Sequence, residues 1–119
     1  MVDDEPQVRS AWQALLNAWG IECVCVASAN QALDLVESGF SPDAIFCDQR
    51  LRSGENGFEL LRELLTRCPQ ATGAMISGEF NSPELAEAEQ QGYLILHKPL
   101  NPQALHRLLS RVLVKQPAV

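Results

Sequence analysis

Three short runs in this chain are apolar at every position: Ala44-Ile-Phe-Cys47, Ala74-Met-Ile76 and Leu94-Ile-Leu96. A strand alternates its side chains between two faces, so a run with no polar residue is covered on both. Each run stops at a polar residue, and between the runs the apolar residues fall at helical spacing. Residues 8–19 carry Val8, Ala11, Trp12, Leu15, Leu16 and Trp19, with Gly20 as a stop. Cys23-Val-Cys-Val-Ala27 reads as a further strand. Ser28-Ala-Asn-Gln31 caps a helix with Ala32, Leu33 and Val36, ended by Gly39. Phe58, Leu61, Leu64 and Leu65 mark a helix that ends before Pro69. Ser82-Pro83 and Asn101-Pro102 are cap-plus-proline starts, the first for a helix over 83–91 and the second for one carrying Leu105, Leu108, Leu109, Val112 and Leu113. Strand and helix therefore alternate, which predicts an α/β fold: a doubly wound, five-stranded parallel sheet with helices on both faces. Only the first strand is short. The chain opens Met1-Val2-Asp3-Asp4, leaving one or two residues for it, and the expectation is that its natural start is missing or was cut from a longer protein.

The 119 residues, 46% of them hydrophobic, suffice for one core, so residues 1–119 are read as one domain. Nine Lys and Arg against fifteen Asp and Glu give a net charge of −6, which argues against a surface that wraps nucleic acid. Neither a bilayer-spanning run nor a signal peptide is visible, and the expected location is the cytoplasm. The four cysteines, at 23, 25, 47 and 68, are expected to be reduced and packed as small hydrophobes, with Cys23 and Cys25 on one face. With only His97 and His106 available, a Cys/His metal site is discarded.

In an open parallel sheet, ligands bind beyond the carboxyl ends of the strands. That rim collects Asp3 and Asp4 after strand one, Asp48 after strand three, Ser77 after strand four and Lys98 after strand five. Each alone has an ordinary explanation as a cap, a turn or a solvated chain end; together, at successive strand ends, they form a pattern. Three crowded carboxylates repel one another, and a hard divalent cation relieves this, Mg2+ being the natural choice beside a phosphoryl oxygen. Lys98 supplies a positive charge to such an oxygen and Ser77 a hydrogen bond. Asp48 is the best nucleophile, because it alone follows a fully buried strand directly, with a loop behind it for in-line access. Its attack on phosphorus gives an aspartyl phosphate.

The acidic pair of Val-Asp-Asp-Glu-Pro, the Asp of Ile-Phe-Cys-Asp, the Ser of Met-Ile-Ser-Gly-Glu and the Lys of His-Lys-Pro-Leu resemble the receiver domain of two-component response regulators, over essentially the whole chain. The resemblance implies a flavodoxin-like sheet of order 2-1-3-4-5. It implies Asp48 as phosphoacceptor, and Mg2+ held by Asp3, Asp4, Asp48 and the backbone carbonyl of Arg50. It implies Ser77 and Lys98 on the phosphoryl group, with a cis Lys98–Pro99 bond. Arg50 and Glu79 would flank the site and tune hydrolysis, and Gly78 would leave room beside the phosphate. The donor would be a phosphohistidine on a histidine kinase or phosphotransfer domain. The domain would catalyse its own phosphorylation and dephosphorylation without being a turnover enzyme. It would make no direct contact with nucleic acid or membrane, and its last helix could serve a homodimer.

Three departures stand out. The loop Asp48-Gln-Arg-Leu-Arg-Ser-Gly-Glu-Asn-Gly57 lacks the usual Met-Pro and is one residue longer. The stretch from Gly92 to Lys98 is one shorter. Ile95 stands where many receivers carry a switching aromatic, and Tyr93 is not given that role. The two altered loops resemble the C-terminal receiver of hybrid sensor histidine kinases, which would make the parent chain a histidine kinase. The alternative is a receiver-like interaction module that is never phosphorylated. An aspartyl phosphatase is disfavoured because Arg50 stands where such enzymes place a second acid, and a flavin domain because Asp3-Asp4 would repel the phosphate. His97 is expected to pack on the face opposite Lys98, His106 to sit on an ordinary helix face, and Trp12 and Trp19 to be core.

Overall fold

The computed structural model describes residues 1–51, 54, 56–78, 82–98 and 101–114, with side chains through 112. Glu79 and Pro99, and with Pro99 the expected cis bond, lie outside the described residues. Five helices and three strands follow in chain order: α1 (Pro6–Ala18), α2 (Ala29–Glu37), β1 (Ala44–Asp48), α3 (Gly57–Arg67), β2 (Thr72–Ser77), α4 (Pro83–Gln90), β3 (Leu94–His97) and α5 (Pro102–Val114). The cap signals act as their chemistry dictates. Ser28 Oγ accepts from the Gln31 N–H, and Ser82 Oγ from the Glu84 N–H. Proline opens α1 and α4, where its missing N–H has no helical partner to lose.

The strands pair in parallel in the order β1-β2-β3, with Asp48 opposite Ile76 and Ser77 opposite His97. Val2 extends the sheet beyond β1, bridging in parallel to Cys47 on one side and Val26 on the other. Its N–H donates to Phe46 O at 2.8 Å, and its own carbonyl accepts from the Asp48 N–H at 3.0 Å. The segments at Val26 and Val2, then β1, β2 and β3, thus stand in the order 2-1-3-4-5. The expected second strand over Cys23–Ala27 is reduced to the single bridge at Val26. The Met1 ammonium donates to Val24 O at 3.1 Å and the Val26 N–H to Met1 O at 3.0 Å, while Gln13 Nε2 donates to the Cys23 carbonyl at 2.7 Å, so the pairing beyond Val26 is single bonds rather than a ladder.

Alternation along the strands divides the core in two. Ile45, Cys47 and Met75 face α2, α3 and α4, meeting Ala32, Leu61, Leu64, Leu85 and Ala88. Phe46, Ala74, Ile76 and Leu96 face α1 and α5, meeting Trp12, Leu16, Leu105 and Leu109. Each fully buried large side chain, such as Leu61 or Ile76, contributes about 1.5–3 kcal/mol through removal from water. Trp12 is core and its ring lies 5.1 Å from that of Phe46. Trp19 is only half-buried, edge-on to His106 at 4.7 Å. His97 is exposed rather than packed, because it ends β3, the edge strand of this sheet.

All four cysteines are free thiols. The sulfurs of Cys23 and Cys25 lie 3.6 Å apart, on one face as their spacing requires. Burial pushes the Cys23 thiol up to about 11 and the Cys47 thiol up to about 12, which starves both of reactive thiolate. Cys47 and Cys68 are 0% and 3% exposed. Native protein is expected to react with a thiol-specific reagent at Cys23 and Cys25 only, and slowly, with Cys47 and Cys68 added on unfolding. Peptide mapping of native protein that finds Cys47 labelled would contradict this packing.

Candidate functional site

The rim begins with Asp48, carried out of the buried ladder at the last residue of β1 and itself 5% exposed. Asp3 follows the bridging Val2, one residue on, and is 1% exposed. Asp4 is half-buried beside it. One carboxylate oxygen from each of the three lies within 4.8 Å of the others. Asp3 Oδ1 accepts the Glu5 N–H at 2.9 Å, whereas Asp3 Oδ2 is buried with no hydrogen-bond partner. A buried carboxylate oxygen without a donor is costly unless something positive completes it. The all-carboxylate donor set suits a hard divalent cation. Burial above all, and then the nearby charge of Asp48, raises the Asp3 pKa, while the Glu5 N–H and Lys98 pull it back.

Lys98 reaches the cluster from the residue after β3. Its N–H donates to Ser77 O at 2.8 Å, and its ammonium donates to Asp48 Oδ2 at 2.9 Å. The lysine side chain is 39% exposed and the Asp48 side chain 7%. Lys98 thus sets a partly exposed positive charge against one oxygen of the buried Asp48 carboxylate. The Arg50 N–H approaches the other oxygen, Asp48 Oδ1, at 3.3 Å. The Arg50 side chain is exposed, and its backbone forms an antiparallel bridge with Asn56. Gly78 is exposed, with open space where a Cβ would stand. The structure thus gathers Asp3, Asp4, Asp48 and Lys98.

Ser77 is fully buried, and its hydroxyl donates to Gln49 Oε1. The sequence expectation sets that hydroxyl on a phosphoryl group and assigns no role to Gln49, which holds it here. Gln49 Nε2 in turn lies 3.5 Å from Glu84 Oε2 in the first turn of α4. The signal was present: a glutamine next to a strand-terminal aspartate is polar at a position that strand continuation buries. In the sequence Gly57 is likewise only the end of a loop. Asn56 caps α3 with its side-chain oxygen, accepting from Phe58 and Glu59, and Gly57 donates its N–H to Gln49 O at 3.0 Å. A Cβ at 57 would penetrate the Asp48 carbonyl oxygen and stand 2.8 Å from its carbon. Arg9, on α1, donates to the Asp3 backbone carbonyl at 2.8 Å and anchors the acidic turn.

Comparison with known proteins places the whole chain. The family profile described as response regulator receiver domain matches residues 1–110. The chain is similar to the C4-dicarboxylate transport transcriptional regulatory protein DctD of Pseudomonas aeruginosa, 30% identical over 114 residues, covering 95% of this chain and 24% of that protein. It is similar also to the transcriptional regulatory protein AruR of the same organism, 32% identical over 112 residues, covering 88% of this chain and 44% of that one. It spans less than half the length of either. Among solved structures, the receiver domain of NtrX from Brucella abortus is 27% identical over 97% of each chain, with a TM-score of 0.85. A CheY-like receiver domain protein from Methanospirillum hungatei JF-1, 24% identical over 97% of this chain and 91% of its own, superposes with a TM-score of 0.86, a likeness of fold.

Proposed function

The chain belongs to the response regulator receiver-domain family, and from that premise we propose that it accepts a phosphoryl group on Asp48. The observation that carries this reading is the convergence of three carboxylates and the Lys98 ammonium at one strand-end rim. The donor is a phosphohistidine of a histidine kinase or a phosphotransfer domain. Asp3, Asp4 and Asp48, with the backbone carbonyl of Arg50, would hold Mg2+. When bound, that ion supplies positive charge to the oxygens of the transferring group.

This chain's own residues do the rest. An Asp48 carboxylate oxygen attacks phosphorus, the phosphorus–nitrogen bond to the donor imidazole breaks, and the imidazole leaves with the electron pair. Lys98 leaves its ion pair with Asp48 to hold a phosphoryl oxygen. The Ser77 hydroxyl turns to another. Strand ends that follow the new charge shift the adjoining loops between two packings, which is the signal. Water later cleaves the acyl phosphate. Arg50, whose N–H lies beside Asp48, would tune that rate together with Glu79, and the open space at Gly78 would take the phosphate.

The cellular setting belongs to the same proposal. We place the domain in the cytoplasm, where ATP-fed phosphohistidine is made. No helix among the described residues is long and apolar enough to cross a membrane. A position in a hybrid sensor kinase is supported by the loop sequences around Arg50 and Tyr93; the relatives named above are transcriptional regulators. The test is incubation with a small acyl-phosphate donor and Mg2+, read by intact mass. Wild-type protein is expected to gain one phosphoryl group and Asp48→Asn none. A wild type that stays unmodified, or an Asp48→Asn variant modified equally, removes the reading.

A further inference from the structure

Gln49 is an unusual residue to find buried at a strand end. It is 4% exposed, on the sheet face covered by α3 and α4, beside Ser77. Its backbone is fixed at both ends: its N–H donates to Ile76 O at 2.8 Å and its carbonyl accepts from Gly57 at 3.0 Å. Only the side chain is free to respond. That side chain holds the Ser77 hydroxyl on its oxygen and reaches Glu84 of α4 with its nitrogen. Ser77 closes β2 and Glu84 lies in the first turn of α4, so the amide spans the segment between them. Ile95, on the same face, offers no polar group to do this.

We propose that Gln49 is a positioning residue that stores the unphosphorylated state by holding the Ser77 hydroxyl, and that it relays loss of that bond to the first turn of α4 through Glu84. The inference rests on the phosphoacceptor reading. The two states are defined by one hydroxyl. In the resting state it donates to Gln49. With a phosphoryl group on Asp48 it donates to a phosphoryl oxygen instead, and the buried Gln49 oxygen is left without its donor. A buried amide does not tolerate that, so it reorients and its contact with Glu84 changes with it. Breaking the resting bond opposes phosphorylation, and removing the amide removes that opposition.

The experiment titrates Mg2+ and beryllofluoride, an analogue of the phosphoryl group, into wild-type protein, Gln49→Met, Ser77→Ala, the double variant and Glu84→Ala, with backbone amides followed by NMR. Methionine keeps the length and volume of glutamine without its hydrogen bonds. Gln49→Met is expected to bind about tenfold more tightly than wild type, the worth of one hydrogen bond no longer broken. In the Ser77→Ala background the same change is expected to make no difference, which a merely structural role for Gln49 would not produce. Glu84→Ala, a surface change that leaves the fold intact, is expected to bind as wild type does while the Leu85 and Ala86 amides lose their response. Wild-type binding with an unchanged Gln49→Met affinity, or an equal gain in the Ser77→Ala background, overturns the inference alone. Failure of wild type to bind the analogue overturns the phosphoacceptor reading, and this inference with it.

Discussion

Gly57→Ala is expected to lose about 3 kcal/mol of stability or more, as overpacking against rigid backbone does. The reason is local. Gly57 begins α3 and lies against the Asp48 carbonyl, with its own N–H on Gln49 O, so the first turn of the helix and the end of β1 touch backbone to backbone. A methyl group at 57 has no flexible side chain to push aside. It has to move the Asp48 carbonyl or the helix start, and either displaces the carboxylate from the acidic cluster. Gly78→Ala is the matched control, because its Cβ meets open space. In urea denaturation the midpoint of Gly57→Ala is expected to fall far below that of wild type, and that of Gly78→Ala to stay near it. If the two glycine variants prove equally stable, the close approach is not there.

That contact also shows what the sequence disclosed and what it withheld. β1 and its terminal Asp48 were legible because a run apolar on both faces has one destination, the interior of a parallel sheet, and the residue that ends it is delivered to the rim. Lys98 was legible for the same reason at the end of β3. The helix starts at Ser82-Pro83 and Asn101-Pro102 were legible because capping is local chemistry, satisfied within three residues. The second strand was not, because Cys23–Ala27 has strand composition and yet forms one bridge, at Val26, with the Cys23 carbonyl taken by the Gln13 side chain instead of a strand; pairing depends on contacts that composition does not encode. Nor was the direction of the Ser77 hydroxyl. It depends on Gln49, 28 residues away, and on a register that only the folded sheet supplies. The place of Ser77 is written in the sequence; its partner is set by the fold. Asn56-Gly57 was punctuation in the sequence and became, in the structure, the cap of α3 and the seat of Asp48.

Asp3→Asn is expected to separate stability from metal binding. Asp3 carries a buried oxygen without a donor, beside two further carboxylates. Burial raises its pKa in the folded protein. The folded state then binds a proton more readily than the unfolded chain. The resulting stability is fully present below the ordinary carboxylate pKa and lost as pH rises through the higher folded value. At neutral pH and without a divalent cation, the charged Asp3 therefore opposes folding. Asparagine keeps the oxygen that accepts from Glu5 and replaces the other, the buried Oδ2, by an uncharged N–H donor. The variant is expected to be more stable than wild type at pH 7 by about 1 kcal/mol, within the range of single relieving substitutions. The difference is expected to shrink as the solution is acidified and Asp3 takes up its proton. With Mg2+ the order reverses. Saturation at one hundred times the dissociation constant adds about 2.7 kcal/mol to a protein that binds only when folded, and the variant, short of one charged ligand, is expected to bind at least about tenfold more weakly. Urea midpoints with and without Mg2+, at neutral and acidic pH, test both halves. A variant less stable than wild type at pH 7 without the cation would mean that Asp3 is compensated inside the fold, and that the acidic cluster is not strained toward a metal.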